Sequence, residues 1–248
     1  MRTIKKVASH IFIDGFGGMT QGLFATLIIG TMIQQIGLLI GGSTGNVIYL
    51  LGKAAAALTS AGIGVGVAVK YGESPLVTVS AAVAAMVGGY AGKITGGTFF
   101  VDGNAVLAGP GEPLGAFIAA FAGITCGHLV SGKTKVDIIV TPVITIGAGS
   151  VVGLLVGPPI SHMMTGLGSI INWATEQRPF IMGIVVSVVM GMVLTLPISS
   201  AALGIMLNLS GLAAGAATIG CCCNMVGFAV ASYRENKFGG LVAQGLGT

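Results

Sequence analysis

Apolar runs long enough to cross a bilayer follow one another along most of this chain, separated by short polar or glycine-rich connections. One stretch departs from that pattern. Between Val156 and Gln177, in VGPPISHMMTGLGSIINWATEQ, the apolar residues Ile160, Met163, Met164, Leu167, Ile171 and Ala174 recur at helical spacing. His162, Thr165, Ser169, Asn172 and Glu176 form a stripe on the opposite side, so the pattern predicts an amphipathic helix. Pro158 and Pro159 suit its first turn, where a missing N–H costs least, and Pro179 marks its end.

The uninterrupted apolar runs predict spans near residues 18–40, 47–69 (carrying Lys53), 75–92, 114–130, 136–156, 179–196 and 211–233. At about twenty residues per crossing, the pattern predicts a polytopic all-α membrane helix bundle of about seven spans forming a single transmembrane domain over residues 1–248. Between the last two spans lies LPISSAALGIMLNLS, too apolar for a water-exposed loop. Unpaired backbone cannot face lipid, so this proline-containing piece is expected to be a broken or re-entrant segment bending at Pro197, Ser199 and Ser200. Broken helices of this kind offer free backbone N–H groups and helix-end dipoles to polar solutes.

Composition supports the membrane reading. Of 248 residues, 54% are hydrophobic and only 7% charged, against about 25% charged in an ordinary soluble domain. The 43 glycines suit helices that approach closely through small residues. A net charge of +4 is too small to imply nucleic-acid binding and fits basic residues retained on the cytoplasmic side. Arg2, Lys5 and Lys6 place the N-terminus there, and Lys70 and the Lys133/Lys135 pair return to the same side after two and four crossings. The basic N-terminus lacks a cleavage pattern and is expected to be retained. Cys126 and the run Cys221 to Cys223 have neither zinc spacing nor a C-x-x-C pair, so they read as small apolar filler, with no metal and no cofactor implied.

Two further stretches carry candidate chemistry. The connection KITGGTFFVDGNAVLAGPGEP is too rich in Gly and Pro for a helix and holds Asp102, Asn104 and Glu112. It is either a solvated loop or a functional one folding back toward the membrane. GAGSVVG, inside the fifth apolar run, superficially resembles a dinucleotide-binding loop. Its glycine spacing and apolar flanks make it a helix-packing motif instead.

The stretch VGPPISHMMTGLGSIINWATEQRPFIMGIVVSVVMGMVLTLPISSAALGI, continued by GLAAGAAT, GFAVASYREN and LVAQGLGT, resembles the membrane permease component, enzyme IIC, of the bacterial phosphotransferase system. It is most similar to the fructose-like branch and to enzyme IIC-like membrane proteins. Where fructose-type permeases carry a more polar turn, this chain has LPISSAA. The resemblance covers essentially the whole chain and implies a dimeric sugar permease in the bacterial cell membrane. It also implies a family that continues past Thr248. No phosphoryl-carrier domain is present, so any sugar phosphorylation would use a separate carrier protein.

The expected function is therefore to bind and translocate a small polar solute, a sugar or sugar derivative; the protein is a transporter rather than an enzyme. The alternative is a non-transporting membrane sensor or scaffold with the same fold. Sugar recognition needs neutral hydrogen-bonding groups with a carboxylate or imidazole. The substrate-binding candidates are His162, Thr165, Asn172, Pro197, Ser199 and Ser200, with Asp102, Asn104, Glu112 and Glu176 as gate or loop residues. His162 and Glu176 lie about 21 Å apart along one helix at about 1.5 Å per residue, too far for one monosaccharide. His162, deeper in apolar sequence and one turn from Thr165, is the solute contact of the two, opposite Ser199 and Ser200.

Overall fold

A computed structural model describes residues 14–107, 109–195, 204, 207 and 209–246. The described chain is almost entirely helical and divides at His162/Met163 into two compact units.

The first unit opens with α1 (Phe16–Ile40), a candidate membrane span that carries a π-helical stretch at Phe24–Ile28. Gly41 and Gly42 both adopt positive φ, the conformation glycine supplies most cheaply, and turn the chain back into α2 (Gly42–Ala57). After Leu58 comes α3 (Thr59–Lys70), bent by 53° from α2. The single unbroken second span expected from the sequence is thus interrupted at Leu58. No proline or glycine marks the break. Two of its freed carbonyls are taken up instead by hydroxyls, that of Ala56 by Thr59 in the same turn and that of Ala57 by Tyr90, 33 residues further along the chain.

Helix α3 closes as a Schellman motif: with Gly72 at φ 70, the Glu73 N–H donates to the Ala68 carbonyl and the Gly72 N–H to that of Val69. Ser74 caps α4 (Pro75–Gly89), accepting from the Val77 N–H, with proline at the first helical position. A short α5 (Ala91–Thr95) leads to a two-stranded hairpin, β1 (Phe100–Val101) and β2 (Asn104–Ala105), paired antiparallel around Asp102 and Gly103. Glu112 then caps α6 (Pro113–Val130).

The core of this unit is built from Ile63 and Val67 of α3, Val77, Ala81, Ala84 and Ala85 of α4, and Ala116, Ala119 and Ala120 of α6. Such small side chains let backbones touch, the packing that holds helices together where lipid removes the usual hydrophobic drive. A Cβ on Gly18 would come within 2.7 Å of the Val67 Cα, and one on Gly153 within 2.8 Å of the Gly88 Cα. At one end of α6, Phe117 stacks on Phe16 and on Phe121, and Tyr71 meets Phe121 edge-on. Burial, with Asp14 adding to it, pushes the Tyr71 phenol up to about 12. The turns after α3 and α6 lie together: Ser74 Oγ is 3.0 Å from Ser131 Oγ, and His128 Nδ1 is 2.9 Å from Glu73 Oε1. Lys70 and Lys133 therefore belong to one end of the unit.

Helix α7 (Asp137–Gln177) joins the fifth apolar run and the expected amphipathic helix into one 41-residue element. Pro142, Pro158 and Pro159 lie inside it, so Pro158 and Pro159 do not start a helix. Each removes one intrahelical bond, but the turns on both sides are already helical.

The second unit holds the C-terminal part of α7 with α8 (Pro179–Val193), α9 (Gly211–Ala231) and α10 (Tyr233–Leu246). Val186 and Met190 of α8 and Ala217 of α9 form its core, with Ile171 packed against them. The α7 edge that this unit buries includes Gly168 and Thr175. Met163 and Leu167 of the apolar side are exposed, as are Ile170 and Trp173. In a membrane protein an apolar face can look at lipid, so polarity alone does not say which side packs. Helix α10 kinks at Lys237 (φ 51), and Ser232 Oγ donates to Gln244 Oε1 across the resulting fold-back.

Among the described residues four helices are long and apolar enough to cross a membrane, or five if the bent α2–α3 pair counts as one span. The shorter apolar helices α4 and α8 complete seven apolar segments. The fold is the expected all-α membrane helix bundle. The expected broken segment at Pro197, Ser199 and Ser200 lies outside the described residues.

Candidate functional site

Polar groups converge in the first unit where the α2–α3 bend, the end of α4 and the loop before α6 meet. Ser60 and Tyr90 are both almost completely buried there, and a buried hydroxyl is costly unless bonded. Ser60 Oγ donates to the Pro110 carbonyl at 2.9 Å. The Tyr90 hydroxyl reaches two carbonyls, that of Gly109 in the loop and, at 3.2 Å, that of Ala57 at the end of α2. As a phenol it carries the proton at neutral pH and serves as the donor. The Glu112 N–H completes the attachment, donating to the Gly89 carbonyl at 2.7 Å. Gly111 lies between these anchors at φ 77, and a Cβ there would come within 3.1 Å of the Gly89 carbonyl oxygen. Only glycine lets the loop lie this close.

The product of this arrangement is a held carboxylate. Glu112 Oε1 accepts from the Leu114 N–H at 3.0 Å and Oε2 from the Gly115 N–H, at the positive end of α6. Burial raises the Glu112 carboxyl above the usual glutamate range, and the bonds from Gly115 and Leu114 oppose that rise. Each carboxylate oxygen has a further lone pair, enough to accept two hydroxyls of a polyol.

The other loop candidates lie elsewhere. Asp102 and Asn104 are exposed at the tip of the β1–β2 hairpin, where Asn104 Nδ2 donates to the Asp102 carbonyl. Nothing groups them with Glu112, the loop acid that the fold half-buries. His162 is exposed, one residue beyond Ser161, whose side chain borders Gly92 of α5. The same helix edge meets Ala91 at Gly157, next to Tyr90.

In the second unit, Thr165 is exposed and its carbonyl accepts from Ser169 Oγ. Asn172 Oδ1 accepts from the Ser210 N–H at 3.1 Å, holding the start of α9. Glu176 is exposed near the end of α7. A cavity of about 190 Å³ in this unit is lined by Ile171, Met182, Val186, Met190, Leu207 and Leu209 among others, all of them apolar. It offers a sugar no partner. Cys222 and Cys223 are exposed on α9, so they do not fill a core, whereas Cys221 packs beside Met190. Among the described residues no three potential metal ligands converge.

Sequence reasoning passed over Ser60 and Tyr90. Each is a lone polar residue in an apolar run, and the available signals were slight: a Thr-Ser pair inside a predicted span and a tyrosine after Gly-Gly.

No curated protein and no solved structure matches this chain. The family model described as "Phosphotransferase system, EIIC" matches residues 13–248, a range that includes both units and the Glu112 loop. The chain therefore belongs to that family and is an EIIC-type sugar permease subunit, an integral membrane component of the phosphotransferase system.

Proposed function

We propose that Glu112 is the principal sugar contact of this permease, accepting hydroxyls of a neutral sugar or sugar derivative, and that His162 supplies a second contact from α7. The observation that carries this reading is the tethered loop, which holds a carboxylate partly buried at a helix start beside a broken span. An ionisable group kept in such surroundings is expensive and is retained for function by default. A carboxylate whose hydrogen bonds are arranged in advance binds hydroxyls without first having to be ordered. In this reading Asp102 and Asn104, exposed at the hairpin tip, lie outside the contact. The working protein is a homodimer in the bacterial inner membrane, with its N-terminus cytoplasmic, and its sugar is phosphorylated by a separate carrier protein.

The test is uptake into proteoliposomes of a labelled hexose and hexitol panel, with and without phosphoryl-carrier proteins inside. Sugar phosphate accumulating only when carriers are present is the expected result. Saturable binding without uptake under either condition would favour the sensor or scaffold reading. In the same assay Glu176→Gln should transport at close to the wild-type rate, and His162→Ala about tenfold more slowly, the loss of one or two neutral hydrogen bonds.

A further inference from the structure

We infer that Tyr90 and Ser60 are positioning residues that lock the Glu112 loop to the α2–α3 bend, so that the bend and the carboxylate move as one body. The functional half of this inference rests on the reading of Glu112 as the sugar contact. A helix that ends at Ala57 leaves carbonyls without intrahelical donors. At this break the Leu58 N–H takes the Ala55 carbonyl at 3.2 Å, Thr59 Oγ1 takes that of Ala56 at 2.6 Å, and Tyr90 reaches that of Ala57. A phenol has one proton. The Tyr90 hydroxyl therefore shares it between the end of α2 and the Gly109 carbonyl, and tightening one bond loosens the other.

Ser60, in the first turn after the break, grips the next loop residue, Pro110. The Pro110 carbonyl is thus held by a residue of the bend itself and the Gly109 carbonyl by Tyr90, at the end of α4, whose hydroxyl also bonds the end of α2; the carboxylate follows two residues later. Straightening α2 against α3 pulls on Gly109 and Pro110 and shifts Glu112 relative to the α6 N–H groups that orient it. A bend coupled in this way gives the permease a means of linking the shape of a span to the strength of its sugar contact.

Hydrogen exchange followed by mass spectrometry on the full chain in detergent tests the clamp. Tyr90→Phe keeps the ring against Phe99, 5.3 Å away, and removes only the hydroxyl. It should speed exchange about fivefold in the peptides containing Glu112 and Gly62, whose N–H groups bond Gly89 and Leu58, and leave α8 and α9 unchanged. Ser60→Ala should do the same. Unchanged exchange at both places, or a uniform rise along the chain, would overturn the clamp.

Affinity for the tightest-binding sugar of the panel tests the coupling. Tyr90→Phe should weaken it about fivefold in the wild-type background and less than about twofold when Glu112 is already Gln. Equal losses in both backgrounds would show that Tyr90 does not act through Glu112. Wild-type affinity in Glu112→Gln alone would instead sink the sugar-contact reading, and the exchange result would still decide the clamp.

Discussion

At the residue scale the chemistry rests on Glu112, whose environment sets a pH signature. Burial raises its carboxyl above the ordinary value despite the N–H groups of Gly115 and Leu114, so the folded protein holds this proton more tightly than the unfolded chain does. Between the unfolded and the raised folded value the native state binds more protons, and stability falls as pH rises through that window. Glu112→Gln has no such titration. The thermal midpoint of the wild type should therefore drop relative to Glu112→Gln as pH rises through that window; parallel curves would show that the carboxyl is not raised. Sugar binding runs the other way, since it needs the ionised form and fades as pH falls through the raised value. The sequence made Glu112 visible as a candidate but could not distinguish it from Asp102 and Asn104 on the same connection. What separates them is that the fold half-buries Glu112 and leaves the other two exposed, in a loop held by bonds with Gly89, Tyr90 and Ser60 that cross long stretches of sequence.

Among the elements, those with strong local signals were legible. Pro75 and Pro113 behind their capping residues start α4 and α6 where the apolar runs begin, and α1 and α9 follow their hydrophobic stretches. The misread elements are those where tertiary bonds override local rules. Leu58 breaks a span with no proline or glycine beside it, and of the carbonyls the break exposes Thr59 takes one locally while Tyr90 takes another from the end of α4. Pro158 and Pro159, a good helix start by local rules, sit within α7. The true start of α7 is Asp137, whose Oδ1 accepts from the Gly132 N–H at 2.9 Å and from Thr141 Oγ1 at 2.6 Å. Thr141 is fully buried. Asp137→Ala should cost about 0.5–2 kcal/mol, in line with losing a helix N-terminal acceptor, and lower the thermal midpoint in detergent. Asp137→Asn, which keeps an acceptor oxygen, should retain most of the stability. An unchanged midpoint in Asp137→Ala would mean that the turn before α7 does not depend on this side chain.

For the whole molecule, composition alone carried the class: few charges, many glycines and successive apolar runs admit only a membrane helix bundle, as the described helices bear out. The polar stripe of α7 was legible as a pattern but not as a site. In a bilayer the apolar side of a helix can face lipid and the polar side can bond to its own backbone, as Ser169 does to Thr165. The loop–bend junction carried no comparable pattern, because its residues are scattered from Ala57 to Glu112 and meet only in the folded unit. The central claim, that this junction presents the permease's sugar-binding carboxylate, is tested most directly by calorimetric titration of purified wild type and Glu112→Gln with the hexose and hexitol panel at neutral pH. The account predicts saturable binding to the wild type and an affinity about 10- to 100-fold weaker for Glu112→Gln, the range for losing charge-assisted hydrogen bonds. Equal affinities in the two proteins would contradict it.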